Sequence, residues 1–398
     1  MQKGIHKGAS VIDCINCITN KKEELIFHDG ILVNRNESEK DRNNIPFVGP
    51  GLIDLQINGI NGIDFNNPSL TKEDIVNATS YLLSKGVTHF FPTVVTNSDE
   101  NFLKIVDTIY QTCLSDPLVN NCIWGIHLEG PFISAVAGAK GAHDEKYIKA
   151  PDWELFCKFQ KAAGGKIKLI TIAPEWDGAF AFIKKCKDNG VLVAIGHSMA
   201  NEKQISMAVN AGATLSTHLG NGVPLLLPRH PNIIWDQLAA EELYACIITD
   251  GIHIPDSFIK VVMKNKASAT ILVSDATCFA GMPPGEYQTH IGGTVILDNE
   301  KRLSLKSSPG LLAGATKSLL ENVAYLVEKN LATPGIAWQM ASSNVVKLLA
   351  GSDDSFNSKN DIVLFQSDGK NIHVECVIKN GRIVFLRNNF FDRMEFQL

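Results

Sequence analysis

From Leu52 to Asp275 the chain repeats one pattern eight times: a short, nearly continuous apolar run, followed in most cases by a stretch with helical periodicity. The runs are Leu52–Ile57, Thr88–Val95, Cys122–Glu129, Lys168–Ala173, Val191–Gly196, Thr214–His218, Leu243–Thr249 and Thr270–Asp275. Strands that are apolar on both faces belong to buried parallel sheets, and a parallel connection needs a crossover, usually a helix. Eight such units predict an α/β chain with a (β/α)8 TIM-like barrel. The crossover stretches include Lys72–Ser84, Asn101–Cys113, Asp152–Ala162, Ala179–Asp188, Glu202–Asn210 and Asp256–Lys266. Thr71 with Asp74, and Asp256 ahead of an apolar-periodic run, supply helix start signals.

Both flanks depart from that rhythm. Ser10–Cys17 and Glu24–Val33 are β-like, and Asn34–Asn44 is polar and reads as a loop. After Asp275, Thr289–Leu305 resembles one or two short strands inserted into the barrel, before helices at Lys317–Glu328 and Pro334–Leu349. The tail alternates again, with Asn380-Gly381 as a tight hairpin turn. Two β-like ends around a β/α middle predict a small discontinuous β-sandwich domain of residues 1–49 plus 351–398, with the barrel at 50–350.

Composition narrows the class. The net charge of −5, with no strongly basic segment, argues against a nucleic-acid partner. No apolar run approaches a membrane span, and the first twenty residues lack the apolar core of a secretory signal. Nine scattered cysteines fit reduced thiols in a cytoplasmic protein. Cys14-x-x-Cys17 has the spacing of half a zinc site, but no second pair follows, so it reads as two ordinary strand residues.

The chemistry lies at the strand ends. Four apolar runs finish at His127-Leu128-Glu129-Gly130, Gly196-His197-Ser198, Thr217-His218-Leu219 and Ser274-Asp275-Ala276. In a barrel these carboxyl ends share one face. Imidazole and carboxylate are ligands for zinc and similar ions, and a catalytic site leaves one position for water. Glu129, His197 and His218 are thus candidate metal ligands, and Asp275 the candidate general base. Any one of them alone could be a loop residue or a helix cap; four together are harder to explain by packing. His253, after the seventh run, could donate to a carbonyl or its oxyanion. His127 shares the face of Glu129, which makes it a candidate to support that residue; a satisfied core histidine is the preferred reading. His143, in Lys140-Gly141-Ala142-His143, has no assigned role.

These motifs occur in order with Pro50-Gly51-Leu52-Ile53-Asp54 and Asp250-Gly251-Ile252-His253. As a set, over roughly residues 48–350, they resemble the N-acetylglucosamine-6-phosphate deacetylases of the amidohydrolase superfamily. The resemblance implies metal-dependent hydrolysis of an N-acetyl amino sugar. Glu129, His197 and His218 would hold the metal, Asp275 would be the acid/base, and His253 would assist at the acetyl carbonyl. Substrate contacts would come from Ala142, Asn221, Gly222, Arg229, His253, Leu312, Ala313 and Gly314. It also implies a homodimer in which Arg229 reaches the neighbouring subunit's substrate phosphate.

Two features refine the expectation. Many amidohydrolases carry His-x-His on the first strand and bind two metals; here the pair is Gln56-x-Asn58, and amides are poor zinc ligands. One divalent metal per subunit is expected, zinc first, with iron(II) and manganese sharing such ligands. The fourth run ends in Ala173-Pro174-Glu175, without the lysine of the dihydroorotase and hydantoinase branches. After His218 the family's usual Asn-Ala-Met is Asn221-Gly222-Val223 here. That leaves open an unphosphorylated or different N-acyl substrate; a separate alternative, of another class, is a non-catalytic sugar-phosphate binding protein on a degenerate barrel.

Overall fold

The computed structural model describes residues 8–39, 45–289, 293–351, 360–388 and 390. Its centre is an eight-stranded parallel sheet. The strands are β1 (Leu52–Ile57), β2 (Val87–Val95), β3 (Ile126–Glu129), β4 (Ile167–Ile172), β5 (Leu192–Ile195), β6 (Leu215–Ser216), β7 (Tyr244–Ile247) and β8 (Thr270–Leu272). They pair in chain order. Ile57 bridges Ala276 in parallel, and Asp275 N–H donates to Gln56 O at 2.9 Å, so the last strand meets the first. The side chain of Asp54 ties the same seam: its Oδ1 accepts from Ser274 N–H at 3.1 Å and from Gln56 N–H at 3.3 Å.

The helices form where capping and an apolar stripe coincide. Lys72–Ser84 begins with a reciprocal capping box between Thr71 and Asp74 and buries Ile75, Ala78, Leu82 and Leu83. Asn201 with Gln204, and Ser318 with Glu321, make the same box ahead of Glu202–Ala211 and Leu319–Glu328.

Strands from both ends of the chain pair in one seven-stranded sheet that closes on itself. Ala9–Asn16, Lys22–His28, Ile31–Glu37 and Phe47–Pro50 come from the beginning, and Ile362–Ser367, Ile372–Lys379 and Arg382–Leu386 from the end. Trp338 joins this sheet to the larger barrel. Its ring stacks on Phe365 at 4.2 Å and its indole N–H donates to Pro50 O at 2.8 Å. Beside it, Lys379 donates to Asp361 Oδ2 at 2.7 Å, and its Nζ lies 3.1 Å from His89 Nε2, all three being buried.

Several expectations need correction. Pro117–Cys122 is helical, capped by Asp116 with proline at its first position, so the third apolar run is strand only from Ile126. Asn34–Glu37 belong to a strand despite their polarity, because that strand is mostly exposed and needs no apolar face; residues 40–44 of the expected loop lie outside the described residues. The insertion is a four-stranded antiparallel sheet, Gly285–Leu312, rather than one or two strands. Pro334–Leu349 is two helices, Pro334–Met340 and Ser343–Ala350, broken at Ala341-Ser342. A short helix at Ile233–Ala239, capped by Asn232, was not expected. Cys14 and Cys17 are buried thiols, both pushed up to about 12 by burial.

Candidate metal centre and active site

Glu129 ends β3 with its side chain buried. Its Oε1 lies 3.2 Å from His197 Nε2 and 3.1 Å from His218 Nε2, and the two nitrogens are 3.0 Å apart. His197 Nδ1 is 2.8 Å from Ala139 O, a carbonyl that can only accept, so the proton of a neutral ring sits on Nδ1. Its Nε2 then presents a lone pair to the centre. One shared proton cannot satisfy all three contacts. A divalent ion can: tetrahedral bonds of about 2.0–2.1 Å set donor separations of roughly 3.3 Å. His218 Nδ1 is buried with no hydrogen-bond partner among the described residues. The donor set therefore fits the metal the sequence implies.

Electrostatics agree with the geometry. Burial alone would raise the Glu129 carboxyl, but the imidazoles of His197 and His218 outweigh it and hold the group well below the usual carboxylate range. Burial, with His197 beside it, pushes His143 down to about 3, and burial pushes His127 down to about 4. Burial alone would lower His218, but Glu129 outweighs it and raises the group, so a cation bound here would take the place of a proton.

Three of the four strand-end residues share a backbone property. His197 has φ 49°, His218 φ 26° and Asp275 φ 48°, in the left-handed region that costs a residue with a Cβ roughly 1–2 kcal/mol. Each is held from another element. Ser134 N–H donates to His197 O at 2.8 Å, Leu219 N–H next to His218 donates to Cys246 O at 2.7 Å, and Asp275 N–H donates to Gln56 O. Leaving the strand through such a turn keeps each functional group at the rim of the barrel.

Gln56 and Asn58 hold the two carboxylates. Gln56 Nε2–H donates to Glu129 Oε1 at 2.8 Å, and Asn58 Nδ2–H donates to Asp275 Oδ1 at 2.7 Å. Asp275 keeps some solvent access, yet surrounding protein and the Glu129 charge push it up to about 6. His253 follows β7, and its Nδ1 lies 2.6 Å from Asp250 Oδ2. Asp250 Oδ1 accepts the backbone N–H of Ile252 and of His253 at 2.8 and 2.9 Å. Burial would raise Asp250, but His253 and these bonds hold it below the ordinary range.

No protein-family model matches the chain. A curated relative from Bacillus subtilis, N-acetylglucosamine-6-phosphate deacetylase, is 32% identical over 345 residues, covering 85% of this chain and 84% of the relative. The chain belongs to the N-acetylglucosamine-6-phosphate deacetylase family. A deacetylase of the same name from Caenorhabditis elegans is 31% identical over 85% of the chain and 82% of its own length. Among solved structures, the N-acetylglucosamine-6-phosphate deacetylase of Thermotoga maritima superposes with a TM-score of 0.79 at 25% identity, over 94% of this chain and 99% of that one. The enzyme from Mycobacterium smegmatis superposes at 0.82 and 23% identity, over 95% and 100%. That second likeness concerns the fold alone.

The remaining residues expected to make up a family site fall around this centre unequally. A Cβ on Gly222 would meet His197 Nδ1 and His218 Cε1, each at 3.0 Å, so this backbone lies against both rings. Asn221 N–H donates to His218 O at 3.0 Å. Ala142 follows Gly141, where a Cβ would meet His197 Cε1 at 3.1 Å. Gly314 packs on Thr277, and Thr277 N–H donates to Ala315 O at 2.9 Å, which carries Leu312–Gly314 beside the Asp275 turn. Arg229 is exposed on the loop that also exposes Leu225 and Leu226. His143 also reaches the centre: one donor atom each of Glu129, His143 and His197 lie within 4.8 Å of one another. His127 is a core histidine, its Nε2 2.8 Å from Thr171 Oγ1. Asp54 and Asp250 were visible in the sequence only as motif letters, and nothing there gave their partners.

Proposed function

We propose that the chain hydrolyses the N-acetyl group of N-acetylglucosamine 6-phosphate, giving glucosamine 6-phosphate and acetate. One observation carries the reading: donor atoms of Glu129, His197 and His218 converge within 3.0–3.2 Å of one another, close enough to Asp275 for Glu129 and His218 to influence its charge. Family membership supplies the substrate class. A divalent ion held by these three residues, zinc in our reading, would supply Lewis-acid polarisation of the acetyl carbonyl and lower the pKa of the attacking water.

The chain's own groups do the rest. Asp275 takes the proton of the attacking water and returns it to the amide nitrogen as the C–N bond breaks. Asn58 occupies Oδ1, which leaves Oδ2 for the proton. His253 is oriented through Nδ1 by Asp250 and donates from Nε2 to the carbonyl oxygen, whose charge grows in the transition state. Donation from both nitrogens requires the imidazolium, and the Asp250 carboxylate balances that charge. Ala142, Asn221, Gly222, Leu312, Ala313 and Gly314 would contact the sugar.

We further propose a cytoplasmic homodimer, in which Arg229 binds the phosphate in the neighbouring subunit. Leu225 and Leu226, 83% and 90% exposed beside it, support a surface covered in the assembly. Residues 1–49 with 351–398 are taken as the smaller domain. The test is acetate release from N-acetylglucosamine with and without the 6-phosphate, after loading with defined metals. Metal-dependent turnover of the phosphorylated sugar is expected. Equal rates on both sugars would move the reading to an unphosphorylated substrate, which the departure at Asn221-Gly222-Val223 left open. Binding without acetate release would make the chain a sugar-phosphate binding protein.

A further inference from the structure

β4 lies between the strand that carries Glu129 and the strand that leads to His197, yet none of the expected metal ligands lies at its own end. The segment leaving it, Ala173–Trp176, instead grips the loops on both sides. Toward Glu129, Ala173 N–H donates to Phe132 O and Trp176 Nε1–H donates to Ile133 O, both at 2.9 Å. Toward His197, Glu175 uses both carboxylate oxygens: Ser198 Oγ–H donates to Oε2 at 2.6 Å and Met199 N–H to Oε1 at 2.7 Å. Ser198 Oγ in turn accepts Ala200 N–H at 3.0 Å. Ser134 N–H, donating to His197 O at 2.8 Å, extends the chain of contacts to the ligand's own backbone.

Both bonds to Glu175 fall on the two residues directly after His197, whose own φ of 49° would relax if the turn were free. A carboxylate accepting a hydroxyl and a backbone N–H makes short, charge-assisted bonds that fix direction as well as distance. We propose that Glu175 is a positioning residue of the metal centre: it locks the Ser198-Met199 turn and thereby aims His197 Nε2 at Glu129 and His218. The inference rests on reading Glu129, His197 and His218 as the metal ligands. The strand without a ligand is then the spacer that sets the distance between two strands that have one.

The test is titration of metal-free protein with cobalt(II), followed by visible absorption and by competition with a chelator, for wild type, Glu175→Ala, Glu175→Gln and Ser198→Ala. Removing a partner that orients a metal ligand weakens affinity by about 10–100-fold. Glu175→Ala is expected to fall in that range and to change the cobalt spectrum. Ser198→Ala, which removes one of the two bonds, should lose less. Glu175→Gln keeps an oxygen for Met199 N–H and should restore most of the affinity. A carboxylate that merely stabilised the loop would lower the melting temperature of the metal-free protein and leave cobalt affinity and spectrum unchanged. That outcome in the alanine variant, or in Ser198→Ala should the first not fold, overturns the proposal. If wild type itself binds no cobalt stoichiometrically, the ligand assignment fails instead, and the two failures are distinct.

Discussion

The side-chain amide of Asn58 reaches Asp275 twice, donating to Oδ1 at 2.7 Å and to the main-chain oxygen at 3.3 Å. It thus restrains the carboxylate and the strained backbone that carries it. The bond to Oδ1 favours the ionised form, so its loss should raise the pKa of Asp275. A base works when deprotonated, so Asn58→Ala should shift the acidic limb of the pH–kcat/KM profile upward and lower kcat about tenfold or more. Bound metal should not change. A pH–rate profile with metal analysis checks both, and an unmoved acidic limb would count against Asp275 as the base.

Gln56 donates to the oxygen of Glu129 that faces both imidazoles. Gln56→Ala should weaken metal binding by roughly 10–100-fold while leaving kcat at saturating metal nearly intact. Glu129→Gln removes the ligand itself and should abolish stoichiometric binding. Competition with a chromogenic chelator separates the two variants.

Gly222 has φ +61°, and an added Cβ would press on both His197 and His218. Gly222→Ala should cost about 1 kcal/mol from the backbone alone. It should also lose metal, because the rings must move to admit the methyl group. Urea denaturation and metal content after dialysis measure these effects; a variant with full metal occupancy would show that the loop yields instead.

His89 is buried against Lys379, and burial first, then that charge, holds its pKa well below the usual histidine value. The folded protein keeps it neutral, while the unfolded chain takes up a proton below about 6.5. Its contribution is therefore complete above that pH and declines as pH falls toward the folded pKa, by at most ~1.4 kcal/mol per pH unit. Denaturant unfolding at pH 7.5 and 5.5 should show a smaller difference for His89→Gln than for wild type.

Leu225 and Leu226 stand exposed near Arg229. In a homodimer, Leu226→Glu should shift sedimentation toward monomer and raise KM for the phosphorylated sugar. Arg229→Ala should raise that KM without dissociating the dimer. Unphosphorylated sugar should be affected little by either change.

The convergence of the strand ends was legible because a strand fixes where its last residue stands, so Gly-His-Ser and Thr-His-Leu could be read as rim positions. The same logic found Lys72–Ser84, whose capping box is local. It failed at Pro117–Cys122, where six residues are too few for periodicity to show, whereas the two-residue strand Leu215–Ser216 lies inside the expected run Thr214–His218. Contacts across the fold were out of reach. Gln56 and Glu129 are 73 positions apart, and Asn58 and Asp275 are 217. The sequence marked Gln56-x-Asn58 as unfit for a second metal; only the fold gives the pair its work. The left-handed backbone at His197, His218 and Asp275 left no trace in residue type, since none is glycine.

The seam where β8 meets β1 runs through Asp54, Gln56, Asn58 and Asp275, residues that hold the proposed base and steady the Glu129 carboxylate. The last of the eight barrel strands to be synthesised thus delivers Asp275 to partners made at the very beginning of the barrel. Half a barrel carries either the seam's first strand or its last, never both. Two separately expressed halves should therefore be inert alone and turn over substrate only after reassociating, so that acetate release times the arrival of the final strand.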